Sequence, residues 1–260
     1  MINEKQVIEN QQKVIGDLKR QLIKNINNTS MLNNLNATLN GIVCHKGVYW
    51  PVKDLGGDVT RDYAPPNGTC YKLMVEYPDV PYNISKFVKD KNVVVQAGGN
   101  AGFYVKKYSE IFNQVYTFEP EPLSFKCLNL NVTNPNVFKF QACLGDTHEC
   151  VNLFNAYETL GHGGSHVSGK GLTPTFLIDD LNLPVCNLIH LDIEGYEKKA
   201  LMGGVETIKR CKPVIVIENY PPWAERYGTN LNEIESLLIS LDYKYVSEVQ
   251  GDRVYAPIDY

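Results

Sequence analysis

Apolar residues occur along this chain in short, dense runs separated by glycine, proline and asparagine, and the spacing within each run decides what it builds. Val93-Val94-Val95 leads into Gln96-Ala97-Gly98-Gly99-Asn100-Ala101-Gly102, the pattern of a strand buried on both faces that opens onto a glycine-rich turn. Val115 to Glu119, Val137 to Ala142, the run from Leu188 that ends at Asp192, and Pro213 to Tyr220 read as further strands. Helical spacing fills the intervals. Phe103 to Ile111 predicts a first crossover helix, and Pro122 starts a second with Leu123, Phe125, Leu128 and Leu130 on its apolar side. Leu231 to Leu241 predicts another, with Ile234, Leu237, Leu238 and Leu241 inward. Tyr243 to Val249 and Arg253 to Ala256 read as a hairpin through Gln250-Gly251-Asp252. Strands alternating with helices place the chain in the α/β class.

The first third is organised differently. Met1 to Ile26 is polar with Ile8, Ile15 and Leu22 seven apart and Leu18 between, which predicts a helix lying on the domain or a short dimerising coiled coil. Asn27 to Asn40 reads as an asparagine-rich linker, with a boundary near Asn40. Residues 41–82 form an accessory segment. It holds a hairpin over Gly41 to Asp54, a loop over Asp58 to Thr69 and a strand at Tyr71 to Val75, and leads to a helix over Asn83 to Val88. This segment is expected to cover one edge of the main domain, residues 83–260; the alternative has Trp50, Tyr63 or Tyr71 lining a substrate site.

Composition narrows the class. With 260 residues and 43% hydrophobic, one main core is expected, and a formal charge of −4 provides no overall basic field for a nucleic-acid backbone. Its 7 cysteines contain no C-x-x-C pair, which fits a reducing cytoplasm better than a disulfide framework or a zinc cluster. No apolar run reaches the length of about 18–20 residues that spans a bilayer, and the start is too polar for a signal peptide. A soluble cytoplasmic protein is expected.

Candidate chemistry sits at the strand ends. A loop holding Gly98, Gly99 and Gly102 lets a ligand approach the backbone closely, and Glu119, about twenty residues on, stands where a carboxylate accepts from a ribose diol. The ligand therefore carries an adenosine. The dinucleotide fingerprint requires glycine at its first, third and sixth places, which here hold Gly98, Asn100 and Phe103, so nicotinamide-dependent oxidoreduction is disfavoured. Gly161 to Gly171 reads as a mobile glycine-rich loop, with His162 and His166 as loop histidines; its near-match to a phosphate loop fails at Gly171, where Ser or Thr is required. Asp192 and Glu194 follow one apolar strand and Glu218 and Asn219 another, at the sheet edge where such folds bind ligands. Burying those carboxylates without a function or a partner is costly.

Two of these stretches resemble the FkbM-type methyltransferases. Gln96 to Phe103 follows that family's acid, small residue, G-A-N-x-G and aromatic, and His190 to Glu197, with Leu201 and Gly203, follows its K-x-D-x-E-G-x-E signature. Gln96 replaces the usual acid and His190 the usual lysine. The resemblance runs from about Asn83 to Tyr260. It implies a doubly wound, Rossmann-like methyltransferase sheet closed by an antiparallel C-terminal hairpin and preceded by the N-terminal helix. It also implies S-adenosylmethionine (SAM) held at Gln96, Gly98, Gly99, Asn100 and Gly102, with its ribose on Glu119, its adenine near Asp146, and Asp192 touching it. Gln96 would accept from the cofactor's ammonium without the charge attraction of an acid. Glu194 would be the base, with Asp192 and His190 as further catalytic candidates. A similarity to macrocin-type sugar O-methyltransferases adds Mg²⁺ on Asp192, Glu218 and Asn219. The rival assignment makes Glu194 and Glu218 acceptors for loop N–H groups. The activity implied is methylation of a sugar or glycoconjugate hydroxyl, the partner a small-molecule or glycan acceptor, with homo-oligomers through the N-terminal helix. A non-catalytic adenosine-binding or assembly module is the alternative.

Overall fold

The computed structural model describes residues 41–45, 47–51, 78–154, 164–218 and 221–260. The expected N-terminal helix, the linker, the loop and strand within 52–77, and Asn219 lie outside these residues, as do His162, Tyr63 and Tyr71. In chain order, the hairpin of β1 (Ile42–His45) and β2 (Val48–Pro51) precedes α1 (Val80–Ser85). Then come β3 (Val93–Ala97), α2 (Phe103–Ile111), β4 (Gln114–Phe118), α3 (Pro122–Asn131) and β5 (Val137–Phe140). Four short strands follow: β6 (Cys143–Leu144), β7 (Cys150–Phe154), β8 (His166–Lys170) and β9 (Thr173–Phe176). After a 3₁₀ turn at Ile178–Leu181 the chain forms β10 (Leu188–Leu191), α4 (Glu197–Met202), α5 (Val205–Cys211) and β11 (Val214–Ile217). It ends in α6 (Pro221–Glu225), α7 (Leu231–Ser240), β12 (Tyr243–Val249) and β13 (Asp252–Pro257).

Seven strands make the main sheet in the order β12-β13-β11-β10-β3-β4-β5, parallel except for the last hairpin, which joins antiparallel through β13 on β11. This is the doubly wound sheet with a C-terminal antiparallel hairpin that the motifs imply. Strand order runs outward in both directions from β3 and β10, so the switch point falls between them. Alternation along each strand divides the core. Val93, Val95, Ile189, Leu191, Ile215 and Ile217 pack against α4, α5 and α7, whereas Val94, Leu188, Val214 and Val216 pack against α1, α2 and α3.

Several local readings change. The first helix begins at Val80, because Pro81 fits a first turn, where its missing N–H leaves no bond unmade. On α3 the inward side is Ser124, Cys127 and Leu128, at helical spacing; Leu130 lies outside it, 44% exposed. Pro221 and Pro222 open α6, for the reason that applies to Pro81. Of the supposed mobile loop, His166 to Lys170 is a strand, β8, antiparallel to β7 in a separate four-stranded sheet ordered β6-β9-β7-β8. Glycine serves that strand pairing rather than mobility: a Cβ on Gly171 would lie 2.5 Å from the backbone of Asn152.

The accessory hairpin caps the outer side of the glycine loop. Ile42, Val43 and Trp50 form a small core with Ala101 and Cys127, so Trp50, 2% exposed, belongs to packing and not to a substrate site. Asn131 at the end of α3 secures it, its carboxamide accepting from Tyr49 N at 2.8 Å and donating to Tyr49 O at 2.7 Å and Ala101 O at 2.8 Å.

Candidate active site

The two motif stretches meet at the switch point. Beyond β3 the chain turns through Gly98 at φ +85°, and beyond β10 Asp192 N donates to Ala97 O at 3.1 Å. The loops touch so closely that a Cβ on Gly98 would lie 1.9 Å from the Asp192 carbonyl oxygen. Only glycine fits there. Gly98 N and Gly99 N both donate to Phe118 O at 3.0 Å, which fixes the loop against β4. Glu119, just past β4, accepts from Asn100 N at 2.7 Å through one carboxylate oxygen and from Glu121 N at 2.8 Å through the other.

Gln96 faces into the sheet. Its Oε1 accepts from Thr117 Oγ1 at 2.6 Å, and its Nε2 donates to Ala97 O at 3.1 Å and Gly98 O at 2.9 Å, so the side chain braces the glycine loop from beneath. The two carbonyls it meets require a donor, which an ionised acid lacks.

On the other side of the switch point the turn Asp192-Ile193-Glu194-Gly195 is held by Glu197, whose Oε1 accepts from Ile193 N at 3.0 Å and Gly195 N at 3.2 Å. The acceptor role weighed for Glu194 and Glu218 is thus filled by Glu197. Glu194 itself takes φ +58°, and its Oε2 is buried with no hydrogen bond. Gly195 is required by α6: a Cβ there would lie 2.2 Å from Trp223 O.

These turns surround a cavity of about 300 Å³ at the carboxyl ends of β3, β4, β10 and β11. Gly98, Gly99, Asn100 and Glu119 form one wall, Phe118, Ala142 and Leu144 an apolar one, and Asp192, Glu194 and Glu218 the acidic end. His166 and Val167 of β8 and Trp223 of α6 close it over, which nothing in their local sequence signals. Tyr104, from the first turn of α2, also lines it; sequence spacing gives its helix but not its exposure to a ligand. Four expected site residues lie outside the wall. Gly102 packs against Leu128 and Val132, and Gln96 and His190 are inside the core. Asp146 lies beside Lys199 at 3.8 Å, its pairing with that ammonium turning it toward α4.

Burial sets the charge of the acidic end. Glu194 is pushed up to about 8, first by desolvation and then by Asp192 and Glu197, with Arg226 opposing. Desolvation, then Asp192 and Glu194, also raises Glu218, and desolvation followed by Asp252 raises Asp192 against the pull of His190. Although three carboxyls converge, among the described residues no group of three or more His, Cys, Asp or Glu side chains is placed to hold a metal ion. The magnesium site expected on Asp192, Glu218 and Asn219 is therefore not supported by the two members described. Likewise, no described helix is long and apolar enough to cross a membrane.

Comparison with known proteins agrees with this geometry. The family described as "Methyltransferase FkbM domain" matches residues 96–245, more than half of the chain, from Gln96 into the start of β12. Among solved structures, the FkbM methyltransferase of Methylobacillus flagellatus KT is similar at 18% identity and TM-score 0.46, over 66% of this chain and 45% of that one. This chain thus spans less than half of that protein. A SAM-dependent methyltransferase from Aquifex aeolicus gives 17% and 0.42 over 72% and 96%, and a Streptococcus mutans protein in complex with SAH gives 10% and 0.41 over 68% and 94%. No curated protein matches. With both family signatures meeting at the switch point of a methyltransferase sheet, the chain belongs to the FkbM methyltransferase domain family.

Proposed function

We propose that this protein is a SAM-dependent methyltransferase that methylates a hydroxyl of a sugar or glycoconjugate. The single observation that carries the reading is the contact of Gly98 with Asp192, which places a bare backbone loop and an acidic cluster on facing walls of one cavity. The residues fit the cofactor. Gly98, Gly99 and Asn100 leave room for its amino-acid end, the carboxylate of Glu119 in the cavity wall suits a ribose diol, and Phe118, Ala142 and Leu144 suit adenine. Bound there, its sulfonium would supply an activated methyl group.

The chain's own part is alignment and proton removal. Glu194 is suited to the second task. Its buried Oε2 has no hydrogen bond, and a pKa near 8 makes it a stronger base than an ordinary carboxylate while leaving part of it ionised at neutral pH. Asp192, held by its backbone to β3, extends the same acidic surface toward the cofactor loop, and Trp223 and Tyr196 offer aromatic faces to a sugar ring.

The experiment pairs binding with turnover. Calorimetry with S-adenosylhomocysteine should show binding by the wild-type protein and by Glu194→Gln. Incubation with SAM and a panel of glycans should give methylated product, read by mass spectrometry, with the wild type alone. The ratio kcat/KM should rise with pH through about 8 as Glu194 loses its proton. Binding without turnover on any acceptor would favour a non-catalytic module, and full activity in Glu194→Gln would remove that residue from the base role.

A further inference from the structure

Beneath the cavity lies a polar cluster that the proposed reaction leaves unused. His190 on β10 is fully buried and is approached from two sides. Its Nδ1 is 2.8 Å from the Tyr108 hydroxyl on α2, and its Nε2 is 3.4 Å from Asp252 Oδ2 at the start of β13. A carboxylate only accepts, so the nitrogen facing Asp252 carries the proton, and Nδ1 accepts from the Tyr108 O–H. One ring therefore links the central strand, the helix that follows the glycine loop, and the inserted last strand.

The link reaches the cavity. Tyr104, one turn before Tyr108, stacks on the His190 ring with 6.3 Å between centroids and 23° between planes, and Tyr104 is part of the cavity wall. Asp192, just beyond the end of His190's strand and close enough to feel its charge, is part of it too. Packing alone does not account for a histidine here. Its Nε2 makes no hydrogen bond and is met by charge alone, from Asp252 at 3.4 Å and from Asp192, and leaving a buried polar atom so is costly. An apolar side chain would fill the same space without that cost.

We propose that His190 is a positioning residue: Asp252 and Tyr108 fix its tautomer and plane, and the fixed ring sets Tyr104 and Asp192 where the methyl donor binds. The inference rests on the methyl-donor reading of the cavity. Its test is calorimetric affinity for S-adenosylhomocysteine, with the melting temperature as a control for folding, in Asp252→Leu, Asp252→Asn and Tyr108→Phe. Asp252→Leu and Tyr108→Phe should each weaken binding by about tenfold, and the double variant by little more, because both act through one ring. Asp252→Asn, whose amide oxygen can stand where the carboxylate faces Nε2, should keep affinity within about threefold of wild type. In turnover the KM for SAM should rise while kcat stays. Wild-type affinity in Asp252→Leu and Tyr108→Phe, even with lowered melting temperatures, would reduce the cluster to core packing, and an asparagine as weak as leucine would also overturn the proposal. If Asp252→Leu does not fold, Tyr108→Phe and Asp252→Asn decide it by the same criteria. A wild-type protein that does not bind at all would instead overturn the methyl-donor reading, and the role proposed for His190 with it.

Discussion

Gln96 shows how one side chain can depart from a family pattern and still suit its place. Its amide nitrogen meets two backbone carbonyls and its oxygen meets the Thr117 hydroxyl, a donor and acceptor set that glutamine satisfies and ionised glutamate does not. Gln96→Glu should therefore destabilise the protein by about 1–3 kcal/mol at neutral pH, and by less at acid pH, where the introduced carboxyl is protonated and can donate. Chemical denaturation at two pH values checks this. The sequence supports the position and burial of residue 96, since three valines lead straight into it, but not its bonds. Reading it as a cofactor contact followed from the motif, and the orientation that turns it into the sheet depends on Thr117, a residue on the neighbouring strand that no local pattern connects to it. Gly98 is the opposite case: its need for glycine was legible from the turn, and only the identity of the obstructing atom, the Asp192 carbonyl oxygen, required the fold.

Among the elements, runs dense in apolar residues were legible, and short strands carrying glycine or proline were not. Strands β3, β4, β10 and β11 follow from dense β-branched runs, and the α7, β12 and β13 series from clear spacing and a tight turn. The four-residue β9 and the glycine-bearing β8 have no such signature, because their pairing with β7 supplies what their sequences lack. Asn131 makes a further element-scale prediction. Its carboxamide replaces a strand edge for Tyr49, so Asn131→Ala should leave both exposed Tyr49 groups to water, cost about 1 kcal/mol, and speed proteolysis within the β1–β2 hairpin. Limited proteolysis read by mass spectrometry would show cleavage there first; cleavage unchanged from wild type would mean the apolar contacts of Trp50 hold the hairpin alone. At the meeting of β3 and β10, Gly98→Val should abolish S-adenosylhomocysteine binding, because the loops must separate to admit a side chain. Calorimetry showing unchanged affinity would count against the loop as the binding wall.

For the molecule as a whole, the buried carboxyls tie stability to pH. Glu197 is pushed up to about 7, chiefly by burial, and Glu194 to about 8, both from an ordinary 4.5. The unfolded chain releases these protons first, so the stability they allow is fully present below about pH 4.5 and is lost as pH rises through 7 and 8. The melting temperature of the ligand-free protein should fall across that window, and Glu194→Gln should flatten the fall; scanning calorimetry from pH 5 to 9 measures both.

The sheet order has one more effect. β13, although it follows β12 in sequence, lies inside it, and among the described residues supplies the only strand contact between β12 and the rest of the sheet. In folding, β12 can take its place in the sheet only once β13 has paired with β11. Until that pairing forms the edge of β11 is bare, and Asp252 reaches His190 only with it.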